Sequence, residues 1–271
     1  MHDTTGVPLR HGTTNHTTDR ETDRTTDRET DRTTGRGTDR GTDRGTDRGT
    51  DRGTNPLNPP ADSPGSSVRR TLLFDMFGVI ARHQSEDGRA RLVATAGVPE
   101  APFWEAYWGL RQPYDRGDVT GPGYWRRVAE ALGTIFGREQ VARLIEADIA
   151  SWSRVDATMV TLIEELAAAG ERIALLSNIP EELALHYEAR HAWLRHFQVR
   201  AFSCRIGHAK PEPGAYRWCL DALETEPGRV LFVDDREENI RAAEAAGLRG
   251  HLFTTPAALR EALRTEPRLS A

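Results

Sequence analysis

No aromatic residue occurs before Phe74, so the first quarter of this 271-residue chain holds nothing bulky enough to seed a core. Cysteine is scarce as well. The two present, Cys204 and Cys219, form no CxxC pair and have no second pair with which to complete a zinc site. There is no basic excess: 36 Lys and Arg stand against 41 Asp and Glu, for a net charge of −5, which argues against a dedicated nucleic-acid surface. No stretch is long and apolar enough to span a bilayer, and no N-terminal run resembles a signal peptide. The expected setting is therefore a soluble protein in a reducing cytoplasm, with neither nucleic acid nor membrane as partner.

What the early chain does contain is repetition. From about Thr17 to Thr54 it cycles Thr-Asp-Arg with Glu, Thr or Gly, with aspartates at Asp19, Asp23, Asp27 and Asp31 and again from Asp39 to Asp51. The period is near-helical, but Thr and Gly are poor helix formers and no apolar face offsets the ordering entropy. Each Asp is followed by Arg, so the charge cancels locally. Pro56, Pro59, Pro60, Pro64 and Gly65 then give the composition of a linker. Residues 1–67 are expected to be a disordered low-complexity tail and linker. The folded unit should begin near Val68, with roughly 190 residues left to bury a core.

In that part, short apolar runs without strict alternation mark five buried strands: Thr71 to Phe74, Arg172 to Leu176, Val199 to Ser203, Val230 to Val233 and Gly250 to Phe253. Between the later runs lie helical patterns over Ala157 to Ala169, Glu181 to Arg190, Glu212 to Leu223 and Arg236 to Ala246. This alternation predicts an α/β fold, a Rossmann-like doubly wound parallel sheet. Residues 82–153 differ, with helical patterns only, over Glu100 to Leu110, Pro122 to Leu132 and Glu139 to Ser151. They read as an all-helical cap inserted after the first strand, leaving residues 68–81 and 154–265 as the core. The cap concentrates Phe103, Trp104, Tyr107, Trp108, Tyr114, Tyr124 and Trp125, most of which are assigned to packing. His186, His191 and His196 are placed with Leu183, Trp193, Leu194 and Phe197 on one amphipathic helix, as structural or solvated groups.

Open parallel sheets bind ligands at the carboxyl ends of their strands. The polar residues there are Asp75, then Ser177 and Asn178, then Lys210, then Asp234 and Asp235. A nucleophilic carboxylate, a hydroxyl, a lysine and an acidic pair suit phosphoryl transfer, which needs a divalent ion and fixed donors for a charged transition state.

The segments carrying these residues, LLFDMFGVI, LLSN, GHAKPEPGAY and FVDDREENIRAAEAAGL, resemble motifs one to four of the haloacid dehalogenase (HAD) superfamily over about Thr71 to Phe253. The closest flavour is similar to the phosphatases related to the N-terminal domain of soluble epoxide hydrolase, with a small helical cap. The resemblance implies that Asp75 attacks phosphorus and becomes a phosphoaspartate, that Ser177 and Asn178 bind phosphoryl oxygens, and that Lys210 neutralises nucleophile and phosphoryl group. It implies Mg2+ held by Asp75, Asp235 and the main-chain carbonyl of Phe77, with Asp234 as an indirect partner and Asn239 orienting the aspartate loop. A small phosphorylated metabolite is the implied substrate.

One position departs from the pattern. Family phosphatases carry a second Asp two residues after the nucleophile as general acid and base, and here it is Phe77, which removes a contribution of roughly a hundred- to ten-thousand-fold. Three readings follow: a Mg-dependent phosphohydrolase that uses good leaving groups or borrows His83, Glu86 or His208; a metal-free 2-haloacid dehalogenase-type hydrolase; or a catalytically weak ligand-binding or regulatory module. Arg82, Arg111, Tyr114 and Arg116 are the cap residues expected to contact an anionic substrate.

Overall fold

The computed structural model describes residues 70–265. The expected tail and linker of residues 1–67 lie outside the described residues. The chain opens with β1 (Thr71–Phe74) and passes through α1 (Glu86–Ala96), α2 (Glu100–Gly109), α3 (Arg111–Asp115), α4 (Gly121–Ala131) and α5 (Arg138–Trp152) before α6 (Ala157–Ala168). It continues as β2 (Arg172–Ser177), α7 (Glu181–Arg190), a 3₁₀ turn (Ala192–His196), β3 (Val199–Phe202), α8 (Ser203–Ile206) and α9 (Pro213–Leu223). It closes with β4 (Val230–Asp234), α10 (Glu237–Ala245), β5 (Arg249–Leu252) and α11 (Pro256–Thr265).

The five strands form one parallel sheet in the order β3-β2-β1-β4-β5. Side chains alternate between its faces, and both are covered, which is why the central strands read as unbroken apolar runs. Leu72, Phe74, Ile173, Leu175, Leu231 and Val233 meet α6, α7 and α11 on one face. Leu73, Ala174, Leu176, Val230 and Phe232 meet α9 and α10 on the other. At about 1.5–3 kcal/mol for each large apolar side chain buried, these two layers supply most of the drive to fold.

Helices α1 to α5 enclose a separate core of Leu92, Phe103, Trp104, Tyr107, Tyr114, Tyr124, Trp125, Val128 and Leu144. The segments leading in and out of this insertion run side by side. Arg82 N–H donates to the Arg154 carbonyl at 2.8 Å, Asp156 N–H donates to that of Ile80 at 2.9 Å, and Ala81 bridges Val155. Asp156 then caps α6 by accepting from Thr158 N–H at 2.9 Å.

Two sequence expectations change. The fifth strand is not buried: β5 is a half-exposed edge strand with β4 as its single partner, so its outer side faces no second apolar layer. The three histidines do not share one helix, because His191 takes extended backbone angles (φ −122°, ψ 96°) that end α7 and start the 3₁₀ turn carrying His196. Their imidazoles go separate ways: His186 meets Ser153 Oγ at 3.0 Å, whereas His191 packs beside Tyr187 and Trp193.

Candidate active site

The chain leaves β1 for β2 and β3 on one side, then crosses to β4 on the other, so the order in which strands are added reverses between β1 and β4. That crevice, at the carboxyl ends, is where a parallel sheet leaves room for a ligand. Asp75 follows β1 there, and Asp234 ends β4 with Asp235 next to it. The turn after Asp75 is tight: the Met76 carbonyl accepts from both Ile80 and Ala81 N–H. Gly78 is required in it, since its φ is +89° and a Cβ would lie 2.2 Å from Asp235 Oδ2.

Lys210 binds the crevice together. Its ammonium, almost completely buried, donates to Asp75 Oδ1 at 2.6 Å and to Asp234 Oδ2 at 2.7 Å. Asp75 Oδ1 also accepts from Met76 N–H at 2.6 Å. Asp234 is fully buried and accepts further from Arg236 N–H at 2.8 Å and from Asn239 Nδ2 at 2.9 Å. Burial, with Asp234 and Asp235 nearby, pushes the Asp75 carboxyl up to about 8 against the pull of Lys210. Burial pulls the Lys210 ammonium down, but Asp75 and Asp234 outweigh it and hold it protonated. Asp234 shows the opposite balance to Asp75: burial raises its pKa, and Lys210 with the other donors lowers it further.

Asn178 and Ser177 behave differently from each other. The Asn178 side chain is committed to the Lys210 main chain in both directions, donating to its carbonyl and accepting from its N–H at 2.8 Å each. Its amide therefore fixes the lysine loop at the edge of the cavity that Asn178 also lines. Ser177 Oγ is buried with no hydrogen-bond partner among the described residues.

Asp75, Asp234 and Asp235 each offer a carboxylate oxygen within 4.8 Å of the other two. Asp235 Oδ1 is a buried acceptor without a partner among the described residues. Such an all-oxygen, acidic donor set fits a hard divalent ion, which would also reverse the upward push on Asp75. The other Asp235 oxygen, Oδ2, lies 2.9 Å from His83 Nε2, and this hydrogen bond raises the imidazole pKa.

Above the crevice is a cavity of about 350 Å³, lined by the polar groups of Asp75, Asn178, Lys210, Asp235 and Arg236 together with the apolar side chains of Phe77, Trp108, Trp152 and Leu183. Phe77 packs edge-on to Trp152, 5.1 Å between centroids, and to Tyr187 at 5.7 Å. Of the three groups considered as substitute acids, His83 lines the cavity and Glu86 and His208 do not.

Most cap residues expected to meet an anion are spent on other partners. Arg111 lines the cavity but is buried, with Nε on Asp115 at 2.7 Å and Nη1 on Asp148 at 2.8 Å. Tyr114 is buried with its hydroxyl donating to Glu182, Arg116 pairs with Asp118 and Glu212, and Arg82 pairs with Asp156. Long cap side chains satisfied their charges within the protein, a choice that composition cannot show. Conversely, sequence reading passed over Trp152 and left Trp108 among the packing aromatics. The one available signal was position, since Trp108 follows the core residue Tyr107 and must point away from it.

The model of the haloacid dehalogenase-like hydrolase family matches residues 69–247. The chain belongs to that family. This hydrolase is 27% identical over 187 residues to the sesquiterpene phosphatase astK of Aspergillus oryzae, covering 67% of this chain and 88% of that one. It is 40% identical over 68 residues to bifunctional epoxide hydrolase 2 of Rattus norvegicus, a match spanning 25% of this chain and 12% of the relative. The fold is similar to that of a HAD family enzyme of Bacteroides thetaiotaomicron, solved in complex with magnesium and inorganic phosphate. The TM-score is 0.57 at 18% identity, covering 69% of this chain and 94% of that chain. No helix among the described residues of the hydrolase is long and apolar enough to cross a membrane.

Proposed function

We propose that the chain is a magnesium-dependent phosphohydrolase acting on a small phosphorylated metabolite through a phosphoaspartate on Asp75. The observation that carries this reading is the Asp75–Lys210 pair set within the Asp75, Asp234 and Asp235 cluster at the switch point of the sheet. The sesquiterpene phosphatase relative supports it.

An Asp75 oxygen attacks phosphorus, and the ester P–O bond breaks with its electron pair leaving on the alcohol oxygen. Lys210 offsets the negative charge of both Asp75 and the transferring group, and the Ser177 hydroxyl donates to a phosphoryl oxygen. Water then hydrolyses the acyl phosphate and frees Asp75. Magnesium, when bound by Asp75, Asp235 and the Phe77 carbonyl, supplies further positive charge against the phosphoryl oxygens. Phe77 can neither protonate the leaving oxygen nor activate that water, so the rate should depend steeply on leaving-group acidity.

Steady-state hydrolysis of an activated aryl phosphate beside an alkyl phosphate, with and without magnesium, tests this. The wild type should turn over the activated ester only with magnesium, Asp75→Asn should be inactive, and Phe77→Asp should extend turnover to the alkyl ester. An inert wild type would sink the proposal. The Phe77 ring packed at the cavity favours a second reading, a module that binds without turnover, and inertness with retained phosphate binding would support it. Halide release without metal is the mark of the dehalogenase reading, against which the Asp234 and Asp235 pair weighs.

A further inference from the structure

We infer that the group attached to the substrate's phosphoryl is uncharged and presents a flat, unsaturated hydrocarbon face to a corner made by Trp108 and Trp152; this rests on the phosphohydrolase reading and names its substrate class. The cavity lining is of two chemical kinds: beside the charged groups around Asp75 stand the apolar side chains of Phe77, Trp108, Trp152 and Leu183. Trp108 and Trp152 meet at 90°, with centroids 6.2 Å apart, and Phe77 closes on Trp152 at 64°. Perpendicular rings offer a third ring one face and one edge at once, the two arrangements that aromatic quadrupoles favour.

Exposure singles out Trp108. Phe103 and Tyr107 on the same helix are fully buried, while Trp108 remains 50% exposed at the cavity. An apolar ligand would remove that surface from water, as the apolar side of a binding pocket does.

The pairing of the charges around the cavity weighs against further charge on the substrate. Arg111 is offset by Asp115 and Asp148, Arg236 pairs with Glu238, Lys210 is shared by Asp75 and Asp234, and His83 is bonded to Asp235. With Lys210 taken up by the transferring phosphoryl group, the one lining cation among the described residues not held in a buried pair or at the acidic cluster is Arg236, whose pair with Glu238 is solvent-exposed. The lining acids are committed as well, Asp115 to Arg111 and Asp75 and Asp235 to the acidic cluster at the phosphoryl end, so no lining carboxylate among the described residues is left over for an ammonium group. At about 350 Å³ the cavity lies near the small end of ligand pockets, so one ring or a short chain fits beside the phosphoryl group.

Binding of non-hydrolysable phosphonates to the full chain in magnesium, read by calorimetry, tests the corner separately from turnover. Benzylphosphonate should bind at least about tenfold tighter than phosphonoacetate or 2-aminoethylphosphonate. Trp108→Ala should erase that preference and Trp108→Phe should keep most of it, with circular dichroism verifying both folds. Equal or tighter binding of either charged probe, no binding of any probe, or a preference untouched by Trp108→Ala would overturn the inference. If benzylphosphonate is preferred through Trp108 but no phosphate ester is hydrolysed, the corner stands and the phosphohydrolase reading falls. If esters are hydrolysed without an apolar preference, the reverse holds.

Discussion

Asp75 is asked to remain a carboxylate where burial and two neighbouring acids oppose it. Substituting it should therefore separate activity from stability. Without magnesium, Asp75→Asn should unfold at a higher temperature than the wild type, by an amount on the order of 1 kcal/mol, while losing all hydrolysis. Asn keeps an acceptor for Met76 N–H, and Lys210 keeps Asp234. Thermal melts in a chelator check this, and a lower midpoint would mean that the Asp75–Lys210 bond outweighs the desolvation. The site's acidic residues and lysine were legible because they directly follow apolar strands or open a helix. Asn178 was legible as a neighbour but not as the clamp on Lys210, since that role depends on a loop 32 residues further along the chain. The conversion of Arg111 into a buried, doubly paired cation was equally out of view: Asp148, its second partner, lies two helices away.

At the scale of elements, α8 is only four residues long, yet it joins three parts of the fold. Its Ser203 hydroxyl accepts from Ile179 N–H at 2.8 Å and donates to the Asp115 carbonyl of α3. Its Arg205 spans Glu181 and Glu188 of α7 at 2.9 and 2.8 Å. Hydrogen bonds from Arg205 hold both glutamates below the usual carboxylate range. Their folded pKa is depressed, so this contribution is present above the unfolded value near 4.5 and is lost as pH falls through the folded values. Because the groups are partly solvent-exposed and so screened, Arg205→Ala should cost less than about 1 kcal/mol at pH 7 and nothing measurable near pH 2. Urea titrations at the two values check it, and an equal loss at both would assign Arg205 to packing. The patterned helices and central strands could be read from the sequence, whereas α1, α3 and α8 could not; α11 was passed over although its buried Leu259 and Leu263 stand four residues apart. Helix α1 buries only Leu92 and Ala96, and α8 and α3 are too short to show a period. The edge strand β5 misled because an apolar run reports hydrophobicity, not how many neighbours a strand has.

Across the whole molecule, the acidic cluster and the lysine that spans it couple ion binding to the two halves of the sheet. Magnesium at about a hundred times its Kd should stabilise the full chain by about 2.7 kcal/mol, and Asp235→Asn should abolish that gain. Differential scanning fluorimetry with and without the ion gives the answer; an undiminished shift in the variant would put the ion elsewhere. The paired segments at Arg82 and Arg154 carry a different consequence. Because the chain departs from and returns to the sheet at adjoining points, the five-helix insertion is a detour whose entrance and exit are already stitched together. A turn of a few residues could replace it and leave the strand order untouched. The same sheet could then receive helical modules of different length or shape at that point, which makes the lining above Asp75 exchangeable while the chemistry beneath it is kept.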